Sequence, residues 1–253
     1  MKTPKCEILN HEGCYVAVLR FGEKMEILSS AIFNGGNTLT DTVFIMQVPK
    51  NFAHDDPPSY AGETCKAMGL PEDSVGMMTA AEVKYVFSHG TEKFENVSAF
   101  AAVTAGLSNQ VIAGEVLKDW ERRSKLSARR SDALVAGTIN ILGVSPVPLT
   151  QAAKVNIMIA MTEAKSAAMA SFGYKETGTT SDSVAIISPV GEDREPYSGT
   201  GTPLGIAMAR AVKSSVRDSL TKRGDNVHGN YLDILAEAGI SKGMLIGYIS
   251  EYP

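Results

Sequence analysis

Between Thr138 and Ser188 the sequence sets one long apolar helix between two short apolar strands, and this limits the available folds more than any other feature. Thr138–Val144 is predominantly apolar and is followed by the turn Pro146-Val147-Pro148, which predicts a strand covered on both faces. Thr150 is a fitting N-cap, and the helix is expected to reach Phe172, where Gly173 stops it. Ser183–Ser188 then makes a second buried strand. Thr202 as cap and Pro203 at the first helical position open another helix, running to about Leu220. This βαβα rhythm calls for helices layered on a sheet, the α/β class. The N-terminal third is β-rich instead. Tyr15–Leu19, Met25–Ser30 and Thr42–Val48 are short β-branched and apolar runs, separated by Gly22 and by Asn34-Gly35-Gly36. One layered domain with a mixed sheet, or two sheets, and packed helices is therefore expected.

Lesser elements fill the remainder. A short helix is expected from Ser59, as cap, to Met68, with Gly69 as its left-handed stop. Val83–Ser88 and Ser98–Thr104 are strand candidates, and the segment Gly76-Met77-Met78-Thr79-Ala80-Ala81 precedes them as a turn. Lys118–Arg130 concentrates Arg122, Arg123, Lys125, Arg129 and Arg130 beside Trp120 and is taken as a solvated insert rather than an anion site. The tail suggests a helix at Tyr231–Ala238 and a strand at Met244–Ile249.

A net charge of −4 and a pI near 5.6 give no basic field for a phosphate backbone, which argues against nucleic acid. Cys6, Cys14 and Cys65 form neither a disulfide framework nor a zinc pattern and suit a reducing cytoplasm. The N-terminus has no apolar signal region, and no stretch approaches the roughly 18 apolar residues of a spanning helix, so neither export nor a membrane span is expected. His11, His54, His89 and His228 are scattered without metal-ligand spacing, so no metal site is expected.

Three places carry candidate chemistry. The helix from Thr150 is apolar on most of its circumference, so Glu163, which shares a face with Asn156 and lies near Ser166, is expected to be buried. A buried carboxylate is driven towards its neutral form and suits a general base or acid; pairing with Lys165, or emergence at a solvent edge, is the structural alternative. Thr177-Gly178-Thr179-Thr180-Ser181-Asp182 enters a buried strand, so its hydroxyls and backbone N–H groups could converge at one end of a sheet on a ligand or a developing oxyanion. An ordinary strand-entry turn with Asp182 capping it is the alternative. Gly199-Thr200-Gly201-Thr202 precedes a helix N-terminus that favours an anion, yet it lacks the lysine of a P-loop, and a plain helix cap would use the same residues.

Several blocks together resemble the adenosylcobinamide amidohydrolase family (CbiZ type). In order they are Leu28-Ser29-Ser30-Ala31 with Asn34-Gly35-Gly36, Gly76 to Ala81, Val103-Thr104-Ala105-Gly106-Leu107-Ser108-Asn109, and Ala136-Gly137-Thr138-Ile139-Asn140-Ile141. Thr162-Glu163-Ala164-Lys165, Thr177 to Asp182, and Ser198 to Gly205 complete the set. The likeness covers about residues 25–220 of one domain spanning 1–253, leaving the insert 118–130 and a C-terminal extension, 222–253, outside it. At Ser181 the family pattern often has Thr, which keeps the hydroxyl.

The resemblance implies hydrolysis of the amide joining aminopropanol to the corrin, giving adenosylcobyric acid in corrinoid salvage. The implied partner is a small corrinoid, no cofactor beyond the substrate's own cobalt is implied, and a homo-oligomer is compatible with the sequence. In that chemistry Glu163 is assigned as the base for water and Asp182 as the group orienting it or the leaving amine. Thr138 and Asn140, with the N–H groups of Gly178 and Thr179, are assigned to the oxyanion. Asn34, Gly35, Gly36 and Thr104 through Asn109 are expected to wall the corrin. Thr79, Thr177, Thr180, Gly199, Thr200, Gly201 and Thr202 complete the expected binding set. Met77, Met78 and Phe33 are either an apolar floor or core. The rival from another class is a non-catalytic corrinoid carrier. A self-cleaved threonine hydrolase and a nucleotide-binding module are weaker alternatives.

Overall fold

A computed structural model describes residues 3–49, 52, 54–116 and 137–222. The insert 118–130 and the tail elements expected after residue 222 lie outside the described residues. β1 (Lys5–His11) pairs antiparallel with the first part of β2 (Cys14–Ser29), a 16-residue strand whose register shifts between Arg20 and Met25. The two strands expected at Tyr15–Leu19 and Met25–Ser30 are thus one, and Gly22 sits at its irregularity rather than in a turn. β3 (Gly36–Gln47) returns antiparallel to β2. α1 (Pro57–Ala67) is capped by Asp56, whose carboxylate accepts the Ser59 N–H at 3.2 Å, so the cap lies three residues before the expected Ser59. β4 (Val75–Thr79) lies parallel to β3 and makes a strand of the segment expected to be a turn.

α2 (Val83–Val86) is a single helical turn where a strand was expected. Val83 and Val86 are buried together, and residues three apart share a helix face but not a strand face. β5 (Ser88–Phe94) and β6 (Val97–Ala105) form a hairpin, and β7 (Gln110–Val111) follows. β8 (Ile139–Val144), α3 (Gln151–Ala170), β9 (Gly178–Thr179), β10 (Ser183–Pro189) and α4 (Pro203–Lys222) deliver the α/β half. β8 and β10 are parallel, with Asn140 opposite Ser183, and β7 and β9 make a separate two-residue ribbon.

The main sheet is mixed, in the order β4-β3-β2-β10-β8-β6-β5, with β1 and β10 sharing one edge of the long β2. It curls on itself. Phe33, at the tip of the β2–β3 hairpin, exchanges backbone hydrogen bonds of 3.1 and 2.9 Å with Gly76 on β4. Asn140 Nδ2 on β8 donates to the Met78 carbonyl of β4 at 2.9 Å, although three strands separate β4 from β8 in the sheet order. The concave interior is filled by Leu19, Ile45, Met77, Phe100, Leu142 and Ile187. On the outer side α3 and α4 cover β6, β8 and β10, and α1 covers β2 and β3. Gly143 on β8 leaves room for side chains of both long helices, since a Cβ there would collide with Met161 and Met208. No helix among the described residues is long and apolar enough to cross a membrane.

An ion cluster ties α3 to the sheet. Lys154, 1% exposed, donates to Glu26 at 2.8 Å, and Arg194 grips the same carboxylate with both terminal nitrogens at 2.7 and 2.6 Å. Arg194, and with it Lys154, holds the Glu26 carboxyl down at about 2 from an ordinary 4.5. The folded value lies below the unfolded one, so the stability this group adds is complete above about pH 4.5 and is lost as pH falls towards 2. Thermal melts across that window are expected to show a shallower acid loss for Glu26→Gln than for the parent. Parallel curves would contradict the assignment.

Candidate active site

A cleft of about 280 Å3 opens where the amino ends of β8 and β10 meet β4 and the hairpin tip. One wall carries hydroxyls and a carboxylate, from Ser30, Thr79, Thr138, Ser181, Asp182 and Ser183. The other is apolar, with Ile32, Phe52, Pro57, Met77 and Met78. Side chains on a strand alternate between faces, and Leu142 and Ala185 point into the concave interior. Asn140 and Ser183 therefore point the same way, and Thr138 and Ser181 continue those rows to the mouth.

Asp182 is the hub of this wall. Its Oδ1 accepts the Ile139 N–H at 3.0 Å and the Thr179 hydroxyl at 2.5 Å; its Oδ2 accepts the Thr179 N–H at 3.2 Å and pairs with Lys165 Nζ. A carboxylate offers about four lone-pair sites, so these four donors fill it. Lys165 comes from the last two turns of α3, on the face turned to the sheet. Its side chain is 10% exposed and that of Asp182 is 15% exposed. Gly178 makes the pair fit, because a Cβ there would collide with both charged groups.

Thr138 and Ser181 hydroxyls lie 2.5 Å apart, and Ser181 Oγ is 3.0 Å from the Gly137 carbonyl, which can only accept. With the Ser181 proton on that carbonyl, Thr138 donates to Ser181, and the Thr138 oxygen keeps a lone pair. Ser30 and Ser183 hydroxyls meet at 3.1 Å beside them.

The remaining expected residues fall into three groups. Asn109, Thr177, Gly178, Thr179 and Thr180 frame the site from behind. Asn109 donates to the Thr180 hydroxyl at 2.5 Å, and Thr177 Oγ1 accepts the Ala113 N–H at 2.9 Å. The Thr179 N–H faces Asp182, so it is not free to meet an oxyanion as expected. Asn34 is turned away from the cleft and holds the Glu72 and Ser74 carbonyls, both at 2.9 Å, while Gly35 and Gly36 shape the hairpin that brings Ile32 to the rim.

Gly199, Thr200, Gly201 and Thr202 stand at the opposite edge of the sheet. They follow the carboxyl end of β10, and Ser198 Oγ donates to the Ala153 carbonyl in the first turn of α3. Thr202 accepts the Gly205 N–H at 3.0 Å, the plain helix cap among the sequence alternatives.

Glu163 is exposed on the outer face of α3, and the buried charges of that helix are Lys154 and Lys165, of which Lys165 lies at the site. The expectation of a buried Glu163 fails because the outer face of α3 is apolar too: Val155 and Ile159 on it are 53% and 52% exposed. The sequence placed Ser181 in the hydroxyl loop without a role of its own and offered Lys165 as a partner of Glu163, not of Asp182. Lys165 was detectable from its spacing of four from both Met161 and Met169, which are buried. Among the described residues no three His, Cys, Asp or Glu side chains gather as a metal centre would require.

The family model described as adenosylcobinamide amidohydrolase (CbiZ) matches residues 5–227. A Methanosarcina mazei protein named adenosylcobinamide amidohydrolase is 29% identical over 201 residues, covering 76% of this chain and 88% of that one. A Halobacterium salinarum protein of the same name is 31% identical over 214 residues, covering 81% and 87%. A solved structure of a Pyrococcus horikoshii OT3 protein aligns at a TM-score of 0.46 and 11% identity, over 87% of this chain and 83% of that one. With a family match over nearly all of its length and a relative above 30% identity, the chain belongs to the adenosylcobinamide amidohydrolase family.

Proposed function

We propose that this chain hydrolyses the aminopropanol amide of adenosylcobinamide, releasing adenosylcobyric acid, in the cleft at the amino ends of β8 and β10. One observation carries the placement: Ser30, Met77 to Ala80, Thr138, and Ser181 with Asp182 come from four distant stretches that each resemble the family, and all line this cleft. Ligand pockets run from about 300 Å3 upward, so a cleft of about 280 Å3 suits one side arm of the substrate rather than the macrocycle. The ring is left to lie over the apolar rim, where Ile32 is 45% exposed.

Hydrolysis needs a polarised carbonyl, an oxygen from water, and a proton for the departing amine. The Thr138–Ser181 pair supplies the first by turning a hydroxyl proton onto the carbonyl oxygen; water adds its oxygen to the carbonyl carbon, and the proton it loses passes along the linked hydroxyls to the amine nitrogen as the C–N bond breaks. Asp182, its lone pairs occupied, acts as the positioning residue that fixes the loop carrying Ser181 and the start of β8. Glu163 stands outside the cleft, so Glu163→Gln is expected to leave kcat/KM within about two-fold. A loss of a hundred-fold would return the base to that residue.

The direct test incubates purified protein with adenosylcobinamide and follows adenosylcobyric acid and free aminopropanol by mass spectrometry. Both products are expected in equal amounts. Substrate recovered intact from a tight complex would support the carrier instead.

A further inference from the structure

We propose that Asn140 and Thr104 form the subsite that recognises the hydroxyl of the aminopropanol leaving group, an inference that rests on the amidohydrolase reading above. Both side chains are fully buried, at 0% exposure, yet Asn140 Oδ1 and Thr104 Oγ1 have no hydrogen-bond partner. The amide orientation follows from its neighbour: the Met78 carbonyl can only accept, so the nitrogen faces it and the oxygen is the free atom. Asn140 therefore offers an acceptor, the opposite of what an oxyanion requires, and its expected role as an oxyanion donor does not fit. Thr104 offers a hydroxyl with its proton and lone pairs unengaged.

The two residues are directly opposite across β6 and β8. Cβ atoms of such a pair stand about 4.5–5.5 Å apart, an interval that one oxygen can bridge. An alcohol matches this pair, donating to Asn140 Oδ1 and accepting from Thr104. Asn140 also lies opposite Ser183 on its other side and one pleat below Thr138, and both of those residues line the cleft. The pair lies beneath the cleft floor rather than on it, so the alkyl arm beyond the nitrogen of a carbonyl held at Thr138 and Ser181 would have to pass Ser183 to reach it. A corrin carries several amides at its edge, and the hydroxyl distinguishes the one to be cut from the primary amides around it.

Sites built to hydrogen-bond a hydroxyl reject analogues lacking it strongly, because buried polar groups are left unpaired. The experiment compares adenosylcobinamide with an analogue bearing N-propyl in place of the N-hydroxypropyl group, in parent, Thr104→Val and Thr104→Ser proteins. The parent is expected to favour the hydroxylated substrate by about 100-fold or more in kcat/KM. Thr104→Val is expected to lose about 10-fold or more of that preference on adenosylcobinamide alone, the Asn140 contact remaining, leave the propyl analogue unchanged, and keep or raise Tm, since it removes an unpaired buried hydroxyl. Thr104→Ser restores the preference. Equal rates for both substrates in the parent overturn the subsite. So does an equal loss on both in Thr104→Val, the result if the pair only holds a structural water. A parent that cuts neither substrate overturns the amidohydrolase reading and the subsite together, and is told apart by the absence of any product.

Discussion

Asp182→Asn is expected to lower unfolding stability by about 3–5 kcal/mol, because it strands the Lys165 ammonium, whose ion-pair partner among the described residues is this carboxylate. The same change weakens three further contacts, from Ile139 N–H, Thr179 N–H and the Thr179 hydroxyl, which together fix the Thr177–Asp182 loop against the start of β8. Activity is expected to fall with stability, since Ser181 is carried by that loop. Lys165→Met in the same chain removes the stranded charge, so the double variant should regain much of the stability without regaining turnover. Urea midpoints at constant slope measure the first part, and single-turnover rates the second. An Asp182→Asn protein within about 1 kcal/mol of the parent would show that the pair is not the support described here.

Thr138→Val and Ser181→Ala are expected to act on kcat rather than KM. Removing one oxyanion donor typically costs about 10²–10³ in kcat, and each substitution takes a hydroxyl from the pair whose proton turns onto the carbonyl. Valine keeps the shape of threonine, so Thr138→Val should fold normally. The hydroxyls work as one unit, so the double variant is expected to be little worse than the poorer single one. KM rising with kcat unchanged would place both residues in ground-state binding only.

Among the described residues, the stretch 138–222 was legible in sequence because its two main strands are buried on both faces and read as unbroken apolar runs. Caps completed the signal at Thr150 and Thr202. β1 and β5 escaped for the opposite reason. Lys5–His11 and Ser88–Phe94 are polar and half exposed, at or near sheet edges, and their pairing comes from neighbours rather than from their own residues. The curl that closes β4 towards β8 depends on the irregularity in β2 and on the Phe33–Gly76 contact, which no local pattern encodes.

The candidate site was legible in part, as loops at strand ends. Thr79, Thr138 and Asp182 line the cleft, together with Ser181 from the same flagged loop. Roles were harder to read, since they depend on which atoms are already engaged. Asp182 has its oxygens filled, Asn140 shows its oxygen rather than its nitrogen, and α3 buries Lys165 while exposing Glu163. The glycine-threonine turn at Gly199 to Thr202 resembles the others in sequence, but chain direction carries it to the far edge.

The central claim is that the amide is cut at the amino ends of β8 and β10, and a crystal structure with bound adenosylcobyric acid tests it most directly. The new carboxylate of the product is expected within hydrogen-bond distance of the Thr138 and Ser181 hydroxyls, with the corrin over Ile32 and Phe52. A carboxylate bound at the opposite edge, beside Gly199 to Thr202, or on the outer face of α3 beside Glu163, would contradict it.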